Sequence, residues 1–262
     1  MLFLPAFSSS VDCVGARADI VFVVDSSGSI LEGPQGPIDN WQLTLNFVIQ
    51  IVQNLEIGSD ANRIGLVTFG NRGYNEFFLN SHNNVADVIA AINMTRHRDE
   101  NTNTSGGLKV AREQQFLSVR GDRPDVQNVV ILITDGKSTF DNTSTIPQAQ
   151  MLRDDGAKII AVGVTEAINE TEVRMISSLP QELDSNYFLS EDFTEFNIIL
   201  DAIVEQTCIA AEIRETPPPP PALPPLSPFT LPHNSMFPTS VNCLILYVEW
   251  GLYNTRQGST LQ

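Results

Sequence analysis

Six runs of mainly apolar residues lie in the first part of the chain, separated by polar or mixed segments. Four of them are long and rich in β-branched side chains, which is typical of strands buried on both faces of a sheet. Two are shorter and predict additional strands. The runs are Ile20–Val24, Ile64–Phe69, Glu76–Leu79, Val129–Ile133, Ile159–Val164 and Tyr187–Leu189.

Between these runs, apolar residues recur at spacings of three and four, which places them on one face of a helix. Such faces are Trp41, Leu45, Val48, Val52 and Leu55; Val85, Val88, Ile89 and Ile92; and Phe196, Ile199, Leu200 and Ile203. A further helix is expected over Leu108–Gln115. Alternating strands and helices predict an α/β fold, with an open, mostly parallel, doubly wound sheet flanked by helices. Ligands bind at the carboxyl ends of the strands in such sheets.

The composition divides the chain into four segments. Residues 1–12 resemble a truncated signal or leader, because a short apolar stretch precedes three serines. Residues 13–208 hold the strand and helix pattern. Residues 209–238 are expected to form a proline-rich linker, since ten of the 16 prolines lie between Pro217 and Pro238. Residues 239–262 are too few to fold alone and are expected to be an unstructured tail or a truncated end.

The charge excludes several classes of partner. The chain has 31 acidic and 15 basic residues and a net charge of −16. A protein this acidic repels nucleic acid and anionic membrane surfaces, whereas cations and basic partners are attracted. No apolar run approaches the roughly 20 residues that span a bilayer, so no membrane span is expected.

Oxygen-bearing side chains follow the predicted strands. Asp25, Ser27 and Ser29 come directly after the first strand, and Asp135 follows the run that ends at Ile133. A polar segment, 101–107, precedes the helix expected at Leu108. Carboxylates and hydroxyls without sulfur or imidazole favour Mg²⁺ or Mn²⁺ over zinc.

These residues are similar to the metal-ion-dependent adhesion site of von Willebrand factor A domains. The motifs are Asp25-x-Ser27-x-Ser29, Thr102-x-Thr104 and Asp135-Gly136. Such domains occur as the inserted domains of integrin α chains, in matrilins and in type VI collagen. The similarity covers about Asp19 to Thr207.

The resemblance implies a role for each residue of the site. Ser27, Ser29 and Thr102 would bind the ion directly, with Thr104 as the alternative to Thr102. Asp25 and Asp135 would act largely through water. A carboxylate of the partner protein would complete the coordination of Mg²⁺, for which Mn²⁺ or Ca²⁺ are alternatives.

The function that the resemblance implies is non-catalytic, divalent-cation-dependent binding of an extracellular-matrix or cell-surface protein by a secreted domain. One alternative is a structural matrix module whose site is not used. Another is an intracellular, metal-dependent assembly factor, because some domains of this family are intracellular.

No catalytic arrangement is visible in the sequence, and we expect the protein not to be an enzyme. His82, His97 and His233 have neither metal-ligand spacing nor a neighbouring nucleophile, so all three are interpreted as solvated surface residues. The sequence contains no nucleophile elbow, P-loop or dinucleotide-binding fingerprint.

Cysteines and asparagines indicate the compartment. Extracellular members of the family commonly join cysteines that bracket the domain, which implies a Cys13–Cys208 disulfide and leaves Cys243 without an assigned role. Four Asn-x-Ser/Thr triplets are present. Asn93, Asn142 and Asn169 are candidate glycosylation sites, whereas a glycan on Asn103 would obstruct the predicted metal loop.

Overall fold

The computed structural model describes residues 15, 17–31, 39–165, 168–193 and 195–212. The chain divides into two units, Met1–Thr216 and Pro217–Gln262, and all described residues belong to the first. The expected leader, most of the linker, the tail, Cys13 and Cys243 lie outside the described residues. The four segment boundaries therefore stay predictions.

A six-stranded sheet forms the centre of the domain, in the order β3-β2-β1-β4-β5-β6. Every neighbouring pair is parallel except β2 and β3, which are antiparallel and place β3 at an edge. This sheet confirms the predicted fold class. The strands are β1 (Ala18–Asp25), β2 (Arg63–Phe69), β3 (Gly73–Phe77), β4 (Gln127–Thr134), β5 (Lys158–Val164) and β6 (Tyr187–Ser190).

Helices cover both faces of the sheet. One face packs against α1 (Asn40–Gln53), α2 (Val85–Asn93) and α6 (Phe196–Glu212). The other packs against α3 (Thr104–Val110), α4 (Thr145–Asp154) and α5 (Glu170–Ile176).

The central strand β1 explains why the run Ile20–Val24 is wholly apolar. Its side chains alternate between the two faces, so Ile20, Phe22 and Val24 lie in one core and Val21 and Val23 in the other. All five are completely buried. A strand in this position has no face on which polar residues reach solvent.

Several elements differ from the sequence prediction. Helix α3 begins at Thr104 instead of Leu108, and a short π-helical segment follows it over Ala111–Gln115. Helices α4 and α5 were not predicted, because few large apolar side chains mark their buried faces. In α4 the buried residues are Thr145, Ala149 and Leu152.

Within the described part of the chain, no helix combines the length and hydropathy needed to cross a membrane.

Candidate metal site

Three loops meet at the carboxyl ends of the parallel strands. The first leaves β1 at Asp25 and continues as a 3₁₀ turn, Gly28–Leu31. The second is the segment before α3 that contains Thr102, and the third begins at Asp135 after β4. The loops lie together because β1 and β4 are parallel neighbours that end at the same edge of the sheet.

Four of the five predicted ligands have side-chain oxygens that lie close together, namely Ser27, Ser29, Thr102 and Asp135. The hydroxyl oxygens of Ser27 and Ser29 are 3.0 Å apart, and Ser29 Oγ donates to Asp135 Oδ1 at 3.0 Å. A Cβ atom placed on Gly136 would lie 3.7 Å from Ser29 Oγ and 3.9 Å from Thr102 Oγ1. Glycine at position 136 therefore leaves room between hydroxyls from the first and second loops.

The chemistry of these oxygens suits a hard divalent cation, because carboxylate and hydroxyl oxygens are the ligands that such ions prefer. The distances of 3.0 Å from Ser29 Oγ to Ser27 Oγ and to Asp135 Oδ1 are those of ordinary hydrogen bonds, so they do not distinguish Mg²⁺ from Mn²⁺ or Ca²⁺. Among the described residues, no group of three or more His, Cys, Asp and Glu side chains could hold a metal.

Asp25 is completely buried at the base of the site. Its Oδ2 accepts from Thr134 Oγ1 at 2.6 Å, and its Oδ1 accepts from the Ser27 amide at 2.9 Å. Burial raises the pKa of Asp25 above its ordinary value of 3.8, although these hydrogen bonds and the charge of His97 act in the opposite direction. Asp25 thus fixes the start of the loop and adds negative charge beneath the hydroxyls.

The two threonines of the second loop have different surroundings. Thr102 Oγ1 lies beside the Gly136 position near Ser29, as described above. Thr104 Oγ1 is 2.8 Å from Ser138 Oγ and is buried away from the first loop's hydroxyls. This geometry favours Thr102 over Thr104 as the ligand.

A buried cluster of polar groups lies beneath the third loop and was not predicted from the sequence. The Ser138 hydroxyl contacts the hydroxyls of Thr104 and Thr145, and it also forms a very short hydrogen bond with Glu172. Thr145 donates to the Ser138 hydroxyl, whose single hydrogen faces two acceptors, Thr104 Oγ1 and the Glu172 carboxylate. The Ser138 cluster therefore connects the third loop to α3, α4 and α5.

The segment before Thr102 holds the first loop in place. The amides of Arg98 and Asp99 donate to Ser26, and the Gly28 amide donates to the Glu100 carbonyl. The prediction of a solvated surface residue is wrong for His97, which is partly buried. Its Nε2 lies 2.8 Å from the Ser27 carbonyl oxygen, and its ring packs against Trp41.

The other two histidines do not add to the site. His82 is partly covered and packs edge-on against Phe77, with 5.1 Å between the ring centroids, so it too is not a fully solvated residue. His233 lies outside the described residues.

Two glycines allow α3 to approach the sheet closely. A Cβ atom on Gly73 would lie 2.3 Å from the Gly106 carbonyl oxygen and 2.6 Å from a methyl carbon of Val110. Both distances are far below van der Waals contact. Helix α3 starts two residues after Thr102, so this close packing also sets the position of the second loop.

The four glycosylation triplets differ in accessibility. Asn93 and Asn142 are exposed, and Asn169 is partly exposed at the N-terminus of α5. Asn103 is only 6% exposed, and its Nδ2 donates to the Asn71 carbonyl while its Oδ1 caps α3. The Asn103 side chain thus has a structural role in the second loop.

Cys208 is buried near the end of α6 and is disulfide-bonded. The other two cysteines of the chain, Cys13 and Cys243, lie outside the described residues. Pairing with Cys13 therefore stays a prediction.

The chain is similar to several proteins of extracellular assemblies. It is 32% identical to the collagen alpha-1(XII) chain of Notophthalmus viridescens over 205 residues, which are 78% of this chain and 21% of that one. It is also 32% identical to matrilin-1 of Mus musculus over 196 residues, which are 74% of this chain and 37% of that one. The chain thus spans much less than half the length of these relatives.

Solved structures show the same fold. Proximal thread matrix protein 1 from the mussel byssus, with a zinc-occupied adhesion motif, matches with a TM-score of 0.67 and 32% identity, over 76% of this chain and 47% of that one. The manganese-loaded TRAP protein of Plasmodium vivax matches with a TM-score of 0.58 and 19% identity, over 71% of this chain and 72% of that one, which shows the fold alone.

Residues 19–205 match the family model of the von Willebrand factor type A domain, in close agreement with the limits expected from the motifs. With the sheet order and the three site loops described above, this match identifies the family. The chain belongs to the von Willebrand factor type A domain family.

Proposed function

We propose that this domain is a non-catalytic module that binds an extracellular-matrix or cell-surface protein through a divalent cation. The proposed ligands are Ser27, Ser29 and Thr102 directly, with Asp25 and Asp135 acting largely through water. The observation that carries the proposal is the convergence of hydroxyl and carboxylate oxygens from three loops around Gly136. The proposed ion is Mg²⁺, for which Mn²⁺ or Ca²⁺ are alternatives.

The chemistry of the ligand set suits binding of an external acid. Neutral hydroxyls make up the direct ligands, while Asp25 and Asp135 are engaged by Thr134, Ser27 and Ser29. When bound, the ion would supply an electrophilic coordination position for a partner carboxylate. The zinc-occupied motif of the mussel thread protein supports a divalent cation at the equivalent place.

The relatives support an extracellular location, because they include a collagen chain and a matrilin. We propose that the protein is secreted, that Cys208 pairs with Cys13, and that Asn93, Asn142 and Asn169 are the glycan acceptors. Peptide mapping of non-reduced protein tests the pairing. A Cys208–Cys243 bridge would contradict the assignment, and fully reduced cysteines in native protein would favour the intracellular assembly factor.

Partner capture distinguishes adhesion from a structural module with an unused site. The wild-type domain is immobilised and exposed to matrix extract in Mg²⁺ or EDTA, next to Ser27→Ala and a matched control, Ser144→Ala. Ser144 lies in the third loop, where its hydroxyl donates to Asp141 at the surface. Adhesion predicts capture that EDTA and Ser27→Ala abolish and Ser144→Ala preserves. Capture that is equal in all four cases would contradict it.

A further inference from the structure

An aromatic side chain stands at the edge of the proposed metal site. Phe140 is 51% exposed. Its amide donates to the Thr102 carbonyl at 3.1 Å, and the Thr139 amide donates to the same oxygen at 2.9 Å. The Thr139 hydroxyl in turn accepts from the Thr102 amide at 3.1 Å. The backbone that carries Phe140 is thus bound on both sides to the backbone of a proposed ligand.

The next residue keeps this part of the loop in one conformation. Asp141 has a positive φ of 51°, and its carboxylate accepts from the part-buried Ser105 hydroxyl at 3.2 Å. Ser105 belongs to α3, so the loop is attached to a helix directly after Phe140. An aromatic ring on such a loop loses little conformational freedom when it is covered by a partner.

The size of a protein interface places Phe140 near the centre of any partner's footprint. A specific interface covers about 800 Å² on each side, which corresponds to a disc of roughly 16 Å radius. With its amide 3.1 Å from the Thr102 carbonyl, the Phe140 Cα lies within about 5 Å of that oxygen. A partner whose carboxylate reaches the ion therefore covers Phe140 as well. Central, rigid aromatic residues carry a large part of the binding energy in many interfaces.

We propose that Phe140 determines specificity by packing against an apolar side chain of the partner that lies next to its metal-binding carboxylate. The proposal rests on the proposed function and adds the chemistry of the recognised segment, an acidic residue with an apolar neighbour. A partner that offers only charged or polar residues around its carboxylate would leave Phe140 covered without an apolar contact.

Displayed peptides with a fixed central glutamate and randomised flanks test the proposal. They are selected on the wild-type domain in Mg²⁺ and eluted with EDTA, and the selection is repeated on Phe140→Ser. The control is Val119→Ser, which removes an 80% exposed apolar side chain at the other end of the sheet, close to where Arg63 of β2 bonds Gly121. Mg²⁺ affinity is measured for each variant to confirm an intact metal site.

We expect EDTA-eluted peptides from the wild type and the control to carry apolar residues within two positions of the glutamate. Phe140→Ser should lose this enrichment and bind the selected peptides about 10-fold or more weakly, while Phe140→Leu retains most of the binding. Equal enrichment on Phe140→Ser, or EDTA-eluted peptides with no apolar preference, would overturn this inference and leave the proposed function standing. If EDTA elutes no peptide from the wild type, both fail.

Discussion

Removing the Ser138 hydroxyl tests whether the buried polar cluster supports the metal loops. Ser138→Ala leaves the Thr145 hydroxyl without its acceptor and the Thr104 hydroxyl without its donor, at positions that are 0% and 1% exposed. Glu172 keeps the Ser138 amide as a donor at 3.2 Å and is partly exposed, so water can replace the lost contact. The main cost therefore comes from the two threonines.

An unsatisfied buried hydroxyl costs about 1–3 kcal/mol, so the two together cost about 2–6 kcal/mol of the free energy of unfolding. With a urea slope of about 3 kcal/mol per molar, the unfolding midpoint should fall by about 0.7–2 M. Mg²⁺ affinity should fall as well, because the cluster connects the loop of Asp135 to the helix that follows Thr102. Urea unfolding and Mg²⁺ titration of the same preparation measure both effects.

Ser144→Ala is the matched control, since it deletes a hydroxyl from the same loop at a partly exposed position where water can replace it. We expect its midpoint to change by less than about 0.3 M, corresponding to a surface substitution. If Ser138→Ala shifts the midpoint no more than Ser144→Ala does, the cluster contributes nothing beyond an ordinary surface contact, and the reasoning is refuted.

Three further substitutions and sites give independent tests. Asp25→Asn should raise the free energy of unfolding in EDTA at neutral pH. The pKa of Asp25 is raised in the folded state, so at a pH above its ordinary pKa of 3.8 the ionised wild-type carboxylate destabilises the fold, which asparagine avoids. The gain should therefore shrink as the pH falls towards 4 and the wild-type carboxyl becomes protonated. A pH series of urea midpoints checks this, and a gain that grows on acidification would contradict it. Gly73→Ala should displace α3 and weaken Mg²⁺ binding, whereas Gly58→Ala, whose added Cβ would have no neighbour closer than 3.7 Å, should do neither. Urea unfolding and Mg²⁺ titration measure the two effects. Wild-type values for Gly73→Ala in both measurements would disprove the packing argument. Asn103 should carry no glycan in secreted protein that binds Mg²⁺, because its amide group is buried and bonded to Asn71; glycopeptide mass spectrometry that finds Asn103 occupied in such material would show the loop assignment to be wrong.

The sheet could be predicted from the sequence because its strands are buried on both faces. In β1 every residue from Ile20 to Val24 lies in one core or the other, so this part of the strand appears as an unbroken apolar run. Helix α4 gave no comparable signal, since threonine and alanine occupy two of its three buried positions. The buried face of α4 is determined by the sheet against which the helix packs. That sheet is formed by residues distant in the sequence, so the local sequence of α4 does not indicate the face.

The metal site was predictable only as far as its motifs extend. The spacing of Asp25, Ser27 and Ser29 is local, and a single turn after β1 brings these residues together. The contributions of Ser138, Glu172 and His97 depend on tertiary contacts between residues that are 34 or more positions apart. Serine three positions after Asp135 was visible in the sequence, but nothing in the chain indicated that a glutamate of α5 would reach it.

Calorimetric titration with Mg²⁺ tests the central claim most directly. The wild-type domain, Ser27→Ala, Asp135→Ala and the control Ser144→Ala are compared, with circular dichroism to confirm that each variant is folded. We expect one Mg²⁺ per wild-type or Ser144→Ala domain and no measurable binding to Ser27→Ala or Asp135→Ala. Unchanged Mg²⁺ affinity in folded Asp135→Ala would contradict the assignment of the site.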